Sequence, residues 1–192
     1  MIAIIKYNAG NVASVKNALN RLGANCVITD SIEEISKADK VIFPGVGEAS
    51  SAMKHLIQFK LDDVIKNLKQ PLLGICLGQQ LMCSFSEEGN TNCLGIFDAK
   101  VKKLPANEII PHMGWNSLKE IKSKLLKGIT ETDDVYFVHN YYTEINQYTT
   151  SICDYILPFT ATMEKNNFFA AQFHPEKSAD VGDKILINFI NL

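Results

Sequence analysis

Four short apolar runs in the first part of the chain, each followed by a stretch with helical periodicity, limit the possible folds more than any other feature. Ile2–Lys6, Cys26–Thr29, Val41–Phe43 and Leu72–Ile75 are strand-length and apolar at nearly every position, as strands buried on both faces must be. After the first run, Val12 to Leu22 carries apolar residues at helical spacing (Val12, Val15, Leu19, Leu22), and Gly23 stops it. Ser31-Ile-Glu-Glu34 has capping-box spacing and predicts a short helix. Pro44-Gly45-Val46-Gly47 ends the third run, and helix-like segments continue to Lys69. This β-α-β-α-β-α-β-α order implies a parallel sheet with helices on both faces, because parallel neighbours need crossover connections. From about Val101 to Gln172 the runs shorten and take hairpin spacing, as in Phe159–Glu164 and Phe168–Phe173 around Asn166-Asn167. Ser178 to Leu192 reads as an amphipathic closing helix with Val181, Ile185, Phe189 and Leu192 on one side. The expected fold is α/β, a single domain over 1–192 whose mixed sheet is parallel at its centre and antiparallel at an edge.

Composition narrows the function. With 46% hydrophobic and 21% charged residues, a chain of 192 residues can bury a full core without disulfides or metal. A formal net charge of −2 gives no electrostatic basis for nucleic acid or an anionic membrane as main partner. No apolar run approaches the roughly 20 residues of a membrane span. The opening Met1-Ile-Ala-Ile-Ile is too short, and lacks the basic lead, for a signal peptide. Five cysteines (26, 76, 83, 93, 153), with no Cys-x-x-Cys pair, argue against a disulfide framework or structural zinc and for a reduced, cytoplasmic setting. Cys26, Cys83, Cys93 and Cys153 are expected to be packing residues, and neither metal nor cofactor is expected.

Chemistry concentrates in two segments. In Gly74-Ile-Cys76-Leu-Gly78 a buried strand gives way to a helix at a cysteine flanked by glycines, the nucleophile-elbow spacing with sulfur in place of oxygen. The helix that follows would direct unpaired N–H groups at a thiolate. Spacing alone leaves open that Cys76 is one more small buried hydrophobe. The second segment is Gln172-Phe-His174-Pro-Glu176-Lys177. In an extended chain His174 and Glu176 share a side, and the carboxylate would fix the imidazole's tautomer. By itself His-Pro-Glu could equally be a surface turn. Together with Cys76 it forms the triad that nucleophilic acyl transfer requires. The Leu77 and Val46 N–H groups are the candidate oxyanion donors, since Pro44–Gly47 ends a neighbouring parallel strand at the same sheet edge.

Gly-Ile-Cys76-Leu-Gly with His174-Pro-Glu176 resembles the class I (triad) glutamine amidotransferases, which implies a flavodoxin-like three-layer sandwich. Tyr7-Asn-Ala-Gly10-Asn11, Pro44-Gly-Val-Gly47, Ser86-Glu-Glu88-Gly, Pro111-His-Met-Gly-Trp115-Asn116 and Tyr136-Phe-Val-His139 are similar to those of glutaminase subunits of imidazole glycerol phosphate synthases. The resemblance runs from the first strand to the last helix. It implies hydrolysis of glutamine to glutamate and ammonia, with the ammonia passed to a (β/α)₈-barrel cyclase subunit in a heterodimer of histidine biosynthesis. It also implies that Gly45, Gln80, Glu88 and the backbone at Asn140 and Tyr141 hold the substrate. Asn11, Trp115, Tyr136 and Lys177 would meet the partner subunit. Three departures stand out: Gln79 in place of a usual methionine, Asn140 in place of Ser or Thr, and a varied loop at Cys93-Leu-Gly95.

Sequence alone leaves alternatives open. The chain could be an idle regulatory subunit, a free-standing γ-glutamyl hydrolase, or one that feeds ammonia to a sugar-modifying synthase. On size alone Trp115 reads as core. His112 and His139 read as satisfied core histidines, His55 as a helix-surface residue, and Lys100-Val-Lys102-Lys103 as an exposed basic edge strand.

Overall fold

The computed structural model describes residues 1–106 and 109–192. Strands β1 (Ile2–Ile5), β2 (Cys26–Thr29), β3 (Lys40–Phe43) and β4 (Leu72–Ile75) are the four apolar runs, to within a residue or two. Helices α1 (Val12–Arg21), α2 (Ile32–Lys37), α3 (Ala49–Gln58) and α4 (Leu61–Asn67) connect them. Half of the capping box forms: the Ser31 side chain accepts from Glu34 N at the start of α2, whereas Ser31 N donates to Thr29 Oγ1, whose hydroxyl in turn donates to Glu34. Next come α5 (Leu77–Leu81), β5 (Phe85–Ser86), β6 (Thr91–Asn92) and β7 (Lys100–Lys103). The hairpin β8 (His112–Ser117) and β9 (Asp134–His139) leads into β10 (Tyr141–Thr143). Finally β11 (Thr149–Tyr155), β12 (Leu157–Lys165) and β13 (Phe168–Ala171) precede α6 (Ala179–Ile190).

The main sheet runs β11-β12-β13-β4-β3-β1-β2. Its five strands from β2 to β13 are parallel, and β12 and β11 add antiparallel strands at one edge. This is the mixed sheet the pattern implied. Alternation sorts β1 cleanly: Ala3 and Ile5 pack with Ile35, Leu56 and Ile65 of α2, α3 and α4 on one face. Ile2 and Ile4 pack with Val15 and Leu19 of α1 and Ile185 and Phe189 of α6 on the other. Of the four residues assigned to one side of the last helix, Ile185 and Phe189 are fully buried, whereas Leu192 lies past the end of α6 and is 39% exposed.

One expectation fails here. β7 is not an edge strand; it lies between β10 and β5 in a second sheet of order β10-β7-β5-β6. Its lysines turn outward while Val101 is buried, and Lys102 pairs with Glu144 at 2.7 Å, so the charges mark a solvated face and not an unpaired rim. All five cysteines are free thiols, Cys83 and Cys153 fully buried and Cys26 and Cys93 partly so. Among the described residues no helix is long and apolar enough to cross a membrane.

Candidate active site

The carboxyl ends of β1, β3, β4 and β13 are neighbours, so the segments that follow them meet at one edge of the sheet. Those segments carry Asn11, Pro44–Gly47, Cys76 and Gln172–Lys177. Tertiary pairing therefore brings together residues almost a hundred positions apart: β4 pairs β13 with Ile75 opposite Ala171, and Cys76 N donates to Ala171 O at 2.7 Å.

Cys76 adopts φ 53°, ψ −107°, a backbone state that costs a non-glycine residue on the order of 1–3 kcal/mol. The turn is held because its C=O accepts from Gln80 N as α5 begins. Neither flanking glycine has room for a side chain. A methyl on Gly78 would fall on the Phe43 carbonyl oxygen, and one on Gly74 would meet the Met82 sulfur. The elbow geometry is thus a direct consequence of the glycine spacing. The helix behind it is a single short turn, so its dipole contributes less to a thiolate than the spacing suggested.

His174 and Glu176 are paired, with Nδ1 2.7 Å from Oε1, and both side chains are fully buried. The route differs from the expected one. His174 is extended, but Pro175–Lys177 forms a 3₁₀ turn, which folds the carboxylate back under the ring instead of continuing a strand. Burial disfavours a charged imidazole here. The adjacent Cys76 and then Glu176 overcome it and raise the His174 pKa to about 10. Among the described residues His174 Nε2 has no hydrogen-bond partner, since the sulfur is turned toward Val138 O at 3.8 Å and accepts from Gln172 Nε2 at 3.7 Å. Cys76 thus lies close enough to raise the ring's pKa, by its charge first and by hydrogen bonding second, although its sulfur is not aligned on Nε2.

The oxyanion candidates sit beside the sulfur in a closed arrangement. Leu77 N donates to Gly45 O at 3.2 Å, so that donor is occupied. Because a trans peptide holds its N–H opposite its C=O, the Val46 N–H points away from Leu77. Val46 O accepts from Gly10 N, and the Tyr7 hydroxyl anchors the start of this loop by donating to Pro44 O at 2.7 Å. Tyr7 is buried; burial first and Cys76 second push its pKa above the ordinary value.

A cavity of about 180 Å³ opens over Cys76, lined by Val46, Leu77, Gln80, Glu88, Asn140 and Tyr141, with Gly47, Pro111, Val138 and His139 completing the wall. Gly45 contributes its carbonyl to Leu77 and is not part of the lining. Glu88 accepts from Ala49 N at 2.8 Å, and its pKa is raised, by burial first, then by Glu48, against that bond. Gln80 is less free than a substrate ligand should be. Both hydrogens of its amide are used internally, on Tyr141 O at 2.8 Å and Gln172 Oε1 at 3.0 Å, which leaves only its oxygen for a ligand.

The four residues assigned to a partner contact divide. Trp115 is 52% exposed, against the core reading from size, and stacks edge-on with half-buried Tyr136 across the β8–β9 pair. Met113, two residues before it on β8, and Lys177, in the turn whose His174 N donates to Tyr136 O, are exposed too. Asn11 is different: its side-chain amide donates to Glu176 Oε1 and lies 3.4 Å from His174 Nδ1, so it braces the His174–Glu176 pair. His112 and His139 are buried and hydrogen-bonded to each other at 3.0 Å, as core histidines should be, but His139 also walls the cavity. His55 is half-buried against the Phe59 ring. Gln172 is a site residue that the motif reading passes over, although the alternation that links His174 to its neighbours applies to it too.

A sulfur nucleophile on a strained turn, a buried imidazole–carboxylate pair and a small cavity over the sulfur can together support acyl transfer. The family model for "Glutamine amidotransferase class-I" matches residues 3–192. The chain belongs to this family. Among its amidotransferase relatives, "Imidazole glycerol phosphate synthase subunit HisH" of Bacteroides fragilis is 55% identical, covering 100% of this chain and 99% of that protein. "Imidazole glycerol phosphate synthase subunit HisH 2" of Legionella pneumophila (strain Paris) is 49% identical, covering 100% and 98%. Among solved structures, that of a glutamine amidotransferase shares the fold with a TM-score of 0.75 at 18% identity, covering 99% of this chain and 97% of that one.

Proposed function

We propose that this chain is the glutaminase subunit of an imidazole glycerol phosphate synthase, and that its 192 residues form a single amidotransferase domain. The observation that carries the reading is the meeting of Cys76 with the His174–Glu176 pair beneath a cavity the size of a free amino acid. Full-length identity of 55% to a subunit bearing that name supports the assignment of the acceptor pathway.

The proposed reaction follows from the residues. The Cys76 thiolate attacks the side-chain amide carbon of glutamine, and the carbonyl oxygen becomes an oxyanion. Leu77 N–H and Val46 N–H stabilise it once the Gly45–Val46 peptide turns over, which frees the first donor and aims the second. His174, charged at neutral pH, gives its proton to the departing nitrogen, and ammonia leaves a γ-glutamyl thioester on the sulfur. The imidazole then takes a proton from water, whose attack releases glutamate and restores the thiolate beside the charged ring. Glu88, the Gln80 oxygen and the Asn140–Tyr141 backbone are the proposed contacts for the amino-acid end.

The ammonia is proposed to pass to a (β/α)₈-barrel cyclase subunit in a cytoplasmic heterodimer, which five free thiols suit. Exposed Trp115 with Tyr136 beside it, and exposed Lys177, are the proposed contacts, while Asn11 is bonded to Glu176. The closed peptide at Gly45–Val46 favours an enzyme that is slow alone and quickened by its partner.

The test is a reconstituted complex with the barrel subunit. Cys76→Ala should abolish synthesis from glutamine, by 10³-fold or more on the order set by losing a covalent nucleophile, while synthesis from added ammonia persists. Equal loss of both would make Cys76 structural and overturn the reading.

A further inference from the structure

A chain of hydrogen bonds joins the β8–β9 hairpin to the nucleophile, and its polarity can be deduced link by link. The Tyr141 carbonyl can only accept, so its 2.8 Å contact with His139 puts that ring's proton on Nδ1. His139 is neutral: burial first, and His112 next, push its pKa down to about 3. Its Nε2 is therefore an acceptor, and His112 Nδ1, 3.0 Å away, must be the donor. Burial holds His112 neutral as well, at about 4, which leaves its Nε2 to accept from Asn116 Nδ2 at 3.4 Å. On the far side, Tyr141 O takes a second bond from Gln80 Nε2, and Gln80 donates its other hydrogen to Gln172 Oε1. That commits the orientation of the Gln172 amide, whose nitrogen is aimed at Cys76 Sγ at 3.7 Å. Gln172, Gln80, His112 and His139 are all buried. Apolar side chains of similar volume would avoid the desolvation cost of so many polar groups, so packing alone gives no reason for them.

We propose that Gln172 is a further catalytic residue of the glutaminase, donating an N–H to the Cys76 thiolate, and that His112 and His139 are positioning residues that hold Tyr141 and Gln80 so that the amide keeps this direction. The inference rests on the reading of Cys76 as nucleophile. A sulfur anion in a water-poor site gains from each donor aimed at it, because charge-assisted hydrogen bonds exceed neutral ones. The chain begins at Asn116, next to exposed Trp115, so strain on that face has a bonded route to the sulfur.

The experiment is the pH profile of iodoacetamide alkylation at Cys76 in the full chain, followed by mass spectrometry of its peptide. The titratable groups facing the sulfur are His174 and Tyr7, with Glu88, His139 and Tyr141 across the cavity, and all are kept in the Gln172 variants. Gln172→Leu should move the reactivity midpoint up by about one pH unit, roughly tenfold slower alkylation at any pH on the acid side of both midpoints. Gln172→Glu, equal in shape but presenting a carboxylate, should move it further. His112→Phe keeps the stacking on Tyr155 (centroids 3.9 Å apart) and removes the donor, so it should shift the midpoint the same way by about threefold in rate. Wild-type profiles in folded Gln172 variants would overturn the proposal. If those variants do not fold, a wild-type profile in His112→Phe does so. Because alkylation needs neither glutamine nor partner, a wild-type chain that never hydrolyses glutamine would sink the glutaminase reading while leaving these shifts intact.

Discussion

The positive φ at Cys76 stores strain at the position where the sulfur must project from the sheet edge. What surrounds that atom has a shared electrostatic sense. His174 is kept charged against its own burial, chiefly by Cys76, and Glu176 with Asn11 fixes the ring from behind. A charged imidazole at rest is the form that can hand a proton to leaving ammonia. The cause suggests a test by NMR titration of the ring nitrogens. In the wild type His174 should stay protonated past pH 9. In Cys76→Ala its midpoint should drop, since the largest raising influence has gone while burial remains. An unchanged midpoint would assign the shift to Glu176 alone.

At the scale of elements, the site is a by-product of how β4 and β13 pair. Each strand ends at the same sheet edge, one turning into a helix at Cys76 and the other into a 3₁₀ turn at Pro175. The elbow depends on α5 lying close over β3, closer than a Cβ allows. Gly78→Ala should therefore destabilise the chain by about 3 kcal/mol, the upper part of the range for overpacking, because the contact is with main-chain oxygen and not a movable side chain. Urea unfolding checks this, and a loss under about 1 kcal/mol, the floor of that range, would mean that α5 can shift away. The β8–β9 hairpin plays two parts, with Trp115 and Met113 outward and His112 and His139 inward. The size of tryptophan points to the wrong side of this hairpin, and the lysines of β7 point to an edge that is not there. Both errors have one source: side-chain chemistry reports average tendencies and which face is wet, not which strands lie on either side.

For the whole molecule, buried histidines of opposite sign set the pH range of the fold. His112 and His139 accept protons only near pH 4 and 3 when folded, but near 6.5 once unfolded. Unfolding between pH 6.5 and about 4 therefore takes up protons, and stability falls as pH falls. His174 works the other way: held at about 10 when folded against 6.5 unfolded, it contributes stability that is lost as pH rises through that interval. Unfolding free energy measured by urea across about pH 4 to 10 should peak near pH 6.5 and decline on both sides. A curve still rising at about pH 9 would contradict the charged state of His174.

Much of this architecture is legible in the sequence itself. Continuous apolar runs specify strands buried on both faces, helical periodicity specifies the crossovers, and glycine spacing specifies the elbow, because each of these is a local constraint of sterics or solvation. Ile2–Ile5, Cys26–Thr29 and Leu72–Ile75 need no partner to be recognised. Only the tertiary structure decided strand order, and with it the placement of Gln172 against Cys76, the capture of the Gln80 amide, the closed state of the Gly45–Val46 peptide and the bond from Asn11 to Glu176. Those are contacts between residues far apart in the chain, whose geometry follows from which strands pair. No window of sequence contains that information, because the free energy that selects the pairing is summed over the whole core.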